Sequence, residues 1–140
     1  MLATRSEIID FIPQRDPFIA VHEILEVTEE FARTQFEILP ESIFVSNGLL
    51  GEAGLLENIA QTAAAHMGFI CRGKKIPVPL GYIASIKNWE LLNLPKVGQL
   101  IETSIHIKNQ VLDIILLDGV VIVNKEVICK CEMRIFIKNH

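Results

Sequence analysis

The stretch Ala53-Gly-Leu-Leu-Glu-Asn-Ile-Ala-Gln-Thr-Ala-Ala-Ala-His-Met-Gly-Phe-Ile70 is where the period of the sequence changes. Ala53, Leu56, Ile59, Ala60, Ala63, Ala64, Met67 and Ile70 recur with the spacing of one face of a 3.6-residue helix. The cationic cluster Arg72-Gly-Lys-Lys75 follows, as suits the negative pole of a helix dipole, and Pro77 and Pro79 forbid continuation. One long helix is therefore predicted. Working outward, Phe18 to Val27 is rich in apolar and β-branched residues and Phe31 to Leu39 approaches alternation, so two strands flank a polar turn at Glu29 and Glu30. Ser6 opens a short capped helix that Pro13 stops, and the residues after Pro40 form a loop holding Ser46, Asn47 and Gly48.

Beyond the helix, strand-like segments run near Gly81 to Leu92, Gln99 to Gln110, Leu112 to Val123 and Glu126 to Ile137. Asn124-Lys125 reads as a hairpin turn, and Asp118-Gly119 as a glycine-marked bulge inside a long strand. Two strands, one helix and four strands make an α+β domain whose antiparallel sheet packs one face on the helix. A single helix covers only part of such a sheet. With half of the residues hydrophobic and a mean hydropathy of +0.37, a second copy is expected to cover the remainder, giving at least a homodimer.

The 140 residues suit a single domain over the whole chain, residues 1–140. A formal charge of -4 argues against a nucleic-acid partner. No apolar run approaches the ~18 residues of a membrane helix, and Arg5, Glu7 and Asp10 interrupt what would be a signal's apolar stretch, so no membrane association and a cytoplasmic location are expected. The three cysteines exclude a disulfide framework in practice; Cys129 and Cys131 share one strand face as small buried hydrophobes, and no metal site is expected.

Glu57 lies at the edge of the apolar helix face, and the other arc carries Asn58, Gln61, Thr62 and His66 with no charge between Glu57 and Arg72. A solvated face usually shows Lys, Arg or Glu, so this arc is expected to be covered by protein, with its groups hydrogen-bonded. Burial raises a carboxyl pKa, and a carboxyl so placed serves as a general acid or base near neutral pH, which makes Glu57 the first candidate for chemistry. The plain structural alternative is a boundary glutamate paired with Gln61 one turn on.

Asp10-Phe-Ile-Pro-Gln-Arg-Asp-Pro-Phe-Ile-Ala-Val-His22, Leu55-Leu-Glu-Asn-Ile-Ala-Gln61, Gly81-Tyr-Ile-Ala-Ser-Ile86 and Val120-Val-Ile-Val-Asn-Lys-Glu-Val-Ile-Cys129 resemble, in order and spacing, the hotdog-fold beta-hydroxyacyl-acyl-carrier-protein dehydratases. The resemblance implies a helix wrapped by an antiparallel sheet, two protomers joining sheets, and sites at their interface that pair a helix glutamate with a histidine of the other subunit. Glu57 matches the glutamate and Gln61 its companion. The family's histidine precedes a Phe-Pro upstream of the glutamate; here that stretch reads Phe44-Val-Ser-Asn-Gly-Leu-Leu-Gly-Glu-Ala-Gly54, with Asn47 nearest the missing histidine. Asparagine cannot act as a general base. The variant pattern is similar to a divergent branch found with aryl-polyene and related pigment or lipid gene sets.

The resemblance further implies that backbone N–H groups at the helix start, from Gly51 to Gly54, hold the thioester oxygen, and that Tyr82 lines the mouth of an acyl tunnel. Read from residue type alone, Gly51 and Gly54 serve equally well as packing or capping residues, and Tyr82 as a strand aromatic with its hydroxyl at the surface. Among the histidines, His66 is nine residues beyond Glu57, about 13 Å along a helix, so the two cannot share a site within one chain. His106 is mid-strand and His140 terminal, which leaves His22 as the candidate base, against the alternative of a structural strand histidine. Trp89 has no role beyond packing. Arg72, Lys74 and Lys75 offer a dock for an acidic carrier protein, or simply a solvated helix end.

The expectation is thus a dehydratase of beta-hydroxyacyl thioesters carried on acyl carrier protein or coenzyme A, without metal or redox cofactor. A thioesterase on the same fold, with Glu57 activating water, is the first rival. The second is a catalytically silent subunit that binds an acyl chain or completes a partner's site.

Overall fold

In a computed structural model, which describes residues 1–138, the chain builds one large sheet around one helix. In chain order β1 (Glu23–Val27) and β2 (Phe31–Glu37) are followed by a small hairpin of β3 (Val45–Ser46) and β4 (Leu49–Leu50), then by helix α1 (Glu52–Gly73). The strands β5 (Leu80–Leu91), β6 (Leu100–Val111), β7 (Ile114–Val123) and β8 (Glu126–Lys138) complete it. The six long strands pair antiparallel in the order β1-β2-β6-β7-β8-β5. This is the predicted α+β architecture.

The 22 residues of α1 span about 33 Å and lie across the inner face of the sheet. Alternation along β7 turns Ile115, Leu117, Gly119, Val121 and Val123 toward the helix. There they join Phe36, Leu55, Ile59, Ile101, Ile105 and Met133 in the main core. A second cluster, Ala3, Ile8, Ile12, Val21 and Ile24 against Ala65, covers a different flank of the helix with the N-terminal segment. Gly68 permits that cover: a Cβ there would stand 2.0 Å from the Phe11 carbonyl oxygen. Phe11 in turn packs on Phe69 and lies beneath the Arg72 guanidinium.

Several local expectations are corrected. The first strand begins at Glu23 rather than Phe18, because the backbone of residues 18–20 bonds to side chains of α1 and not to a strand. The second ends at Glu37, short of Leu39. The N-terminal helix is a single 3₁₀ turn, Ile8–Asp10, and Ser6 does not cap it; Thr4 donates its N–H and hydroxyl to the Glu7 carboxylate. Asn47-Gly48 is the two-residue turn of the β3–β4 hairpin, with both residues at positive φ, the conformation for which Asn-Gly is suited. Asn124-Lys125 turns β7 into β8 as predicted.

Gly119 marks no bulge. The ladder runs through it in register on both sides, opposite Ile105 and Cys131. The glycine is needed because a Cβ would sit 2.6 Å from Ile59 Cγ2, so it lets helix and sheet approach.

Gly68→Ala is expected to lower stability by about 1–3 kcal/mol, an overpacking cost taken against backbone rather than a flexible side chain. Urea unfolding with limited proteolysis checks this. The midpoint falls and the first seventeen residues become sensitive to cleavage; an unchanged midpoint would mean the segment is not seated on the helix.

Candidate active site

The uncharged arc of α1 is buried and fully hydrogen-bonded, as the sequence predicts. Asn58 donates from Nδ2 to the Ala20 carbonyl at 2.8 Å and accepts at Oδ1 from the Thr103 hydroxyl. The Thr62 hydroxyl donates to the Asn58 carbonyl at 2.8 Å, leaving its lone pairs for the Thr34 hydroxyl at 2.7 Å. Gln61 is the busiest: Oε1 accepts from the Ala20 N–H at 2.7 Å, while Nε2 donates to the Phe18 carbonyl at 2.9 Å and to Glu57 Oε1 at 3.2 Å.

Glu57 thus ends the network. It lies at the edge of the arc, half-buried, with Gln61 orienting one carboxylate oxygen. That contact is the pairing named as the structural alternative, and it also aims the carboxylate. One turn further along the helix begins a narrow apolar cavity of about 50 Å³, walled by Ala60, Ala64 and Met67 on the helix and by Ile83, Ile115 and Ile135 on the strands. The small alanines leave this space. Tyr82, half-exposed on β5, and Gln14, from the N-terminal segment, are its only lining side chains with hydrogen-bonding groups among the described residues.

At the helix start the glycines differ. Gly51 stands at the N-cap and would meet only the Phe44 carbonyl oxygen at 3.6 Å if given a Cβ, so packing does not demand it. At Gly54 a Cβ would lie 2.6 Å from Leu50 Cδ1 and 2.8 Å from Phe44 Cβ, so close packing accounts for it. Their own N–H groups are occupied, Gly51 on the Phe44 carbonyl and Gly54 on the Gly51 carbonyl. Donors free to face a ligand in this stretch are therefore those of Glu52 and Ala53, the first turn of α1. The Glu52 carboxylate accepts from Trp89 Nε1 at 2.9 Å, a tie between β5 and the helix that gives Trp89 a role beyond packing.

Comparison with known proteins places these features. Residues 6–139 match the family described as ApeP-like, ApeP dehydratase. The chain belongs to the ApeP-like dehydratase family. In solved structures its backbone is similar to the dehydratase heterocomplex ApeI:P from Xenorhabdus doucetiae, with a TM-score of 0.88 at 14% identity over 94% of this chain and 91% of that one. It is also similar to a hypothetical thioesterase with coenzyme A from Streptococcus pneumoniae, with a TM-score of 0.66 at 13% identity over 84% and 86%. The PaaI protein from Escherichia coli gives a TM-score of 0.64 at 9% identity over 81% of each chain. No curated protein sequence matches. The fold is the hotdog fold, and the chain is a hotdog protein of the ApeP-like dehydratase family.

This ApeP-like chain does not gather its other sequence-predicted groups around Glu57. Asn47 is exposed at the tip of the β3–β4 hairpin, where its positive φ explains it. His22 is 8% exposed and lines a cavity of about 580 Å³ with Arg5, Ile9, Phe36 and Leu39, among whose walls Glu57 does not figure. Its Nδ1 accepts from the Glu37 N–H at 3.1 Å, so the neutral ring carries its proton on Nε2. His66 is buried with Nε2 donating to the Thr28 and Glu29 carbonyls, His106 stands on β6, and His140 lies outside the described residues. Cys129 and Cys131 are buried free thiols, pushed up by burial to about 12 and about 11.

Arg72 donates from Nε to the Asp10 carbonyl and is exposed, as are Lys74 and Lys75. Among the described residues no helix is long and apolar enough to cross a membrane, and no cluster of His, Cys, Asp and Glu forms a metal site. Sequence reasoning missed Gln14. It falls between prolines in an irregular segment with no period to betray its neighbours.

Burial, with Arg5 adding to it, pushes His22 down to about 4 from its ordinary 6.5. Above that ordinary value both folded and unfolded states are neutral. As pH falls toward 4 the unfolded chain takes up a proton that the native ring refuses, so stability drops by up to about 3 kcal/mol across that window. Urea midpoints compared at about pH 7.5 and about pH 4.5 are expected to show this loss, reduced in His22→Gln. An equal loss in the variant would move the effect to other groups.

Proposed function

We propose that this chain is a dehydratase-type protein acting on beta-hydroxyacyl thioesters, on acyl carrier protein or coenzyme A, and that Glu57 is its proton-transfer residue. The observation that carries the reading is the Glu57 carboxylate held by Gln61 one turn from an apolar cavity lined by Ala60, Ala64 and Met67. In that arrangement an acyl chain enters between helix and sheet with Tyr82 at the mouth, and the thioester oxygen rests on the first-turn N–H groups of Glu52 and Ala53 beside Gly51 and Gly54. The carboxylate then takes the proton from the α carbon, the Cα–Cβ double bond forms as the Cβ–O bond breaks, and the carboxyl hands that proton to the departing hydroxyl, which leaves as water and gives an enoyl thioester. We assign no proton transfer to Asn47, and we read His22 as a donor rather than a base because its acceptor nitrogen is occupied.

The chain is also proposed to work as a dimer. Among the described residues the long edge strand β5 carries backbone groups with no strand partner on its outer side, and Tyr82, Ile86 and, on adjacent β8, Phe136 are exposed around it. A second reading concerns who the partner is. The similar ApeI:P structure is a heterocomplex, and among the described residues Glu57 has no imidazole as a hydrogen-bond partner. A different hotdog chain that brings a histidine would complete a two-group site.

Mass spectrometry of beta-hydroxyacyl carrier protein after incubation tests all of this. Loss of water that falls at least a hundredfold in Glu57→Gln is expected. If water is lost only when a histidine-bearing hotdog partner is added, the heteromeric reading holds. Loss of the whole acyl group would make the protein a thioesterase, and no reaction in either setting would overturn the role of Glu57.

A further inference from the structure

We infer that the apolar cavity beside α1 and the open groove at the C-terminal end of that helix are two halves of one acyl channel, partitioned at Met67, and that Met67 sets the length of chain the protein accepts. The inference rests on the reading above, that an acyl chain enters between helix and sheet, and it names the residue that measures the chain. The cavity holds about 50 Å³. That is room for only a few water-sized groups, since one of them needs roughly 10–15 Å³. The groove holds about 720 Å³ and is open to solvent.

The two spaces lie end to end, because each wall runs from one to the other past a single shared residue. On α1 that residue is Met67: Ala60, Ala63 and Ala64 precede it in the cavity, while its neighbour His66 and then Ile70, Cys71 and Lys74 line the groove. Before β5 it is Pro79, with Ile76 and Pro77 on the groove side and Tyr82 and Ile83 on the cavity side. On β7 it is Ile115, which Leu112 and Asp113 precede in the groove, and on β8 it is Ile137, which Ile135 precedes in the cavity. Met67 stands ten residues beyond Glu57, about 15 Å along the helix. A chain that starts at Glu57 and follows the helix therefore meets the partition before it meets the groove.

Only one of the four shared residues moves aside at little cost. Pro79 is a rigid ring with a fixed φ. Ile115 and Ile137 are β-branched, 4% and 7% exposed, and set in the sheet, Ile115 opposite Gln110 and Ile135 and Ile137 opposite Gly81 with its N–H on the Asp113 carbonyl at 2.7 Å. Met67 is half-buried, unbranched and turns about three side-chain bonds. A chain too long for the cavity must displace that thioether. Past it, Ile70, Ile76 and Leu112 offer apolar surface to the next carbons, with Lys74 and Lys108 beside them.

The test titrates butyryl and hexadecanoyl thioesters of one common arm calorimetrically in the Glu57→Gln background, so that binding is measured without turnover. Adding Met67→Ala is expected to tighten hexadecanoyl binding about tenfold, the gain from drawing roughly two more methylenes out of water. Met67→Phe is expected to weaken it by a similar factor. Butyryl, which ends short of the partition, is expected to bind all three proteins alike, which also shows that the variants fold. Combining Ile76→Asp with Met67→Ala is expected to remove the gain for hexadecanoyl alone, because Ile76 is exposed and lines only the groove. The same length preference in all three proteins, or a gain that survives Ile76→Asp, would overturn the inference while leaving the dehydratase reading intact. Failure of both thioesters to bind any of the proteins would overturn both.

Discussion

A side-chain amide taken out of water keeps its place only when its donors and acceptors are matched. In this protein Asn58 and Gln61 meet that demand with the backbone of residues 18–20. The rest of the site hangs on those bonds. They replace the strand ladder that residues 18–20 would otherwise join, and so pull the N-terminal segment over the helix. That segment closes the second core around Ala65 and brings Gln14 to the cavity wall. The same Gln61 amide orients Glu57. One residue thus serves cover, core and carboxylate together, and replacing it with an apolar group would strand an N–H, a carbonyl and a carboxylate at once.

The two faces of the helix carry different burdens because they meet different surfaces. Toward the sheet, Leu55 and Ile59 pack on β-strand side chains, and Gly119 lets Ile59 come close. Toward the cavity, Ala60, Ala63 and Ala64 are short, so the face stays apolar yet leaves room. Leucines there would fill the space. Small residues on one face and amides on another therefore have separate causes within one continuous helix.

Much of this was legible in the chain itself. The helix could be read from its apolar period, and its charge-free arc from the absence of Lys, Arg and Glu between Glu57 and Arg72. Those signals are strong because they repeat over many residues. The irregular parts were harder. Residues 18–22 look like a strand because they are apolar and β-branched, and only the knowledge that Gln61 reaches their backbone reveals otherwise. Gly119 looked like a bulge because glycine usually marks a local backbone need, whereas here the need comes from Ile59, sixty residues away. For Gln14 no local pattern exists, since it reaches the cavity wall only because the N-terminal segment covers the helix.

The proposed elimination turns on how many proton-transfer groups one protomer supplies. Elimination of water from a beta-hydroxyacyl thioester removes one proton from the α carbon and delivers one to the departing hydroxyl. Gln61 holds Glu57 but cannot exchange a proton at neutral pH, and His22 offers its cavity a donor with the acceptor side closed. Within one chain, therefore, a single carboxylate faces both tasks. It can perform them in turn only if the α hydrogen and the β hydroxyl lie on the same side of the chain, so that the proton taken from one is handed to the other. A second group from a partner removes that restriction, because acid and base then stand on separate walls. The stereochemistry of the substrate and the identity of the partner are thus two aspects of one geometric question, set by a carboxylate whose orientation the Gln61 amide already fixes.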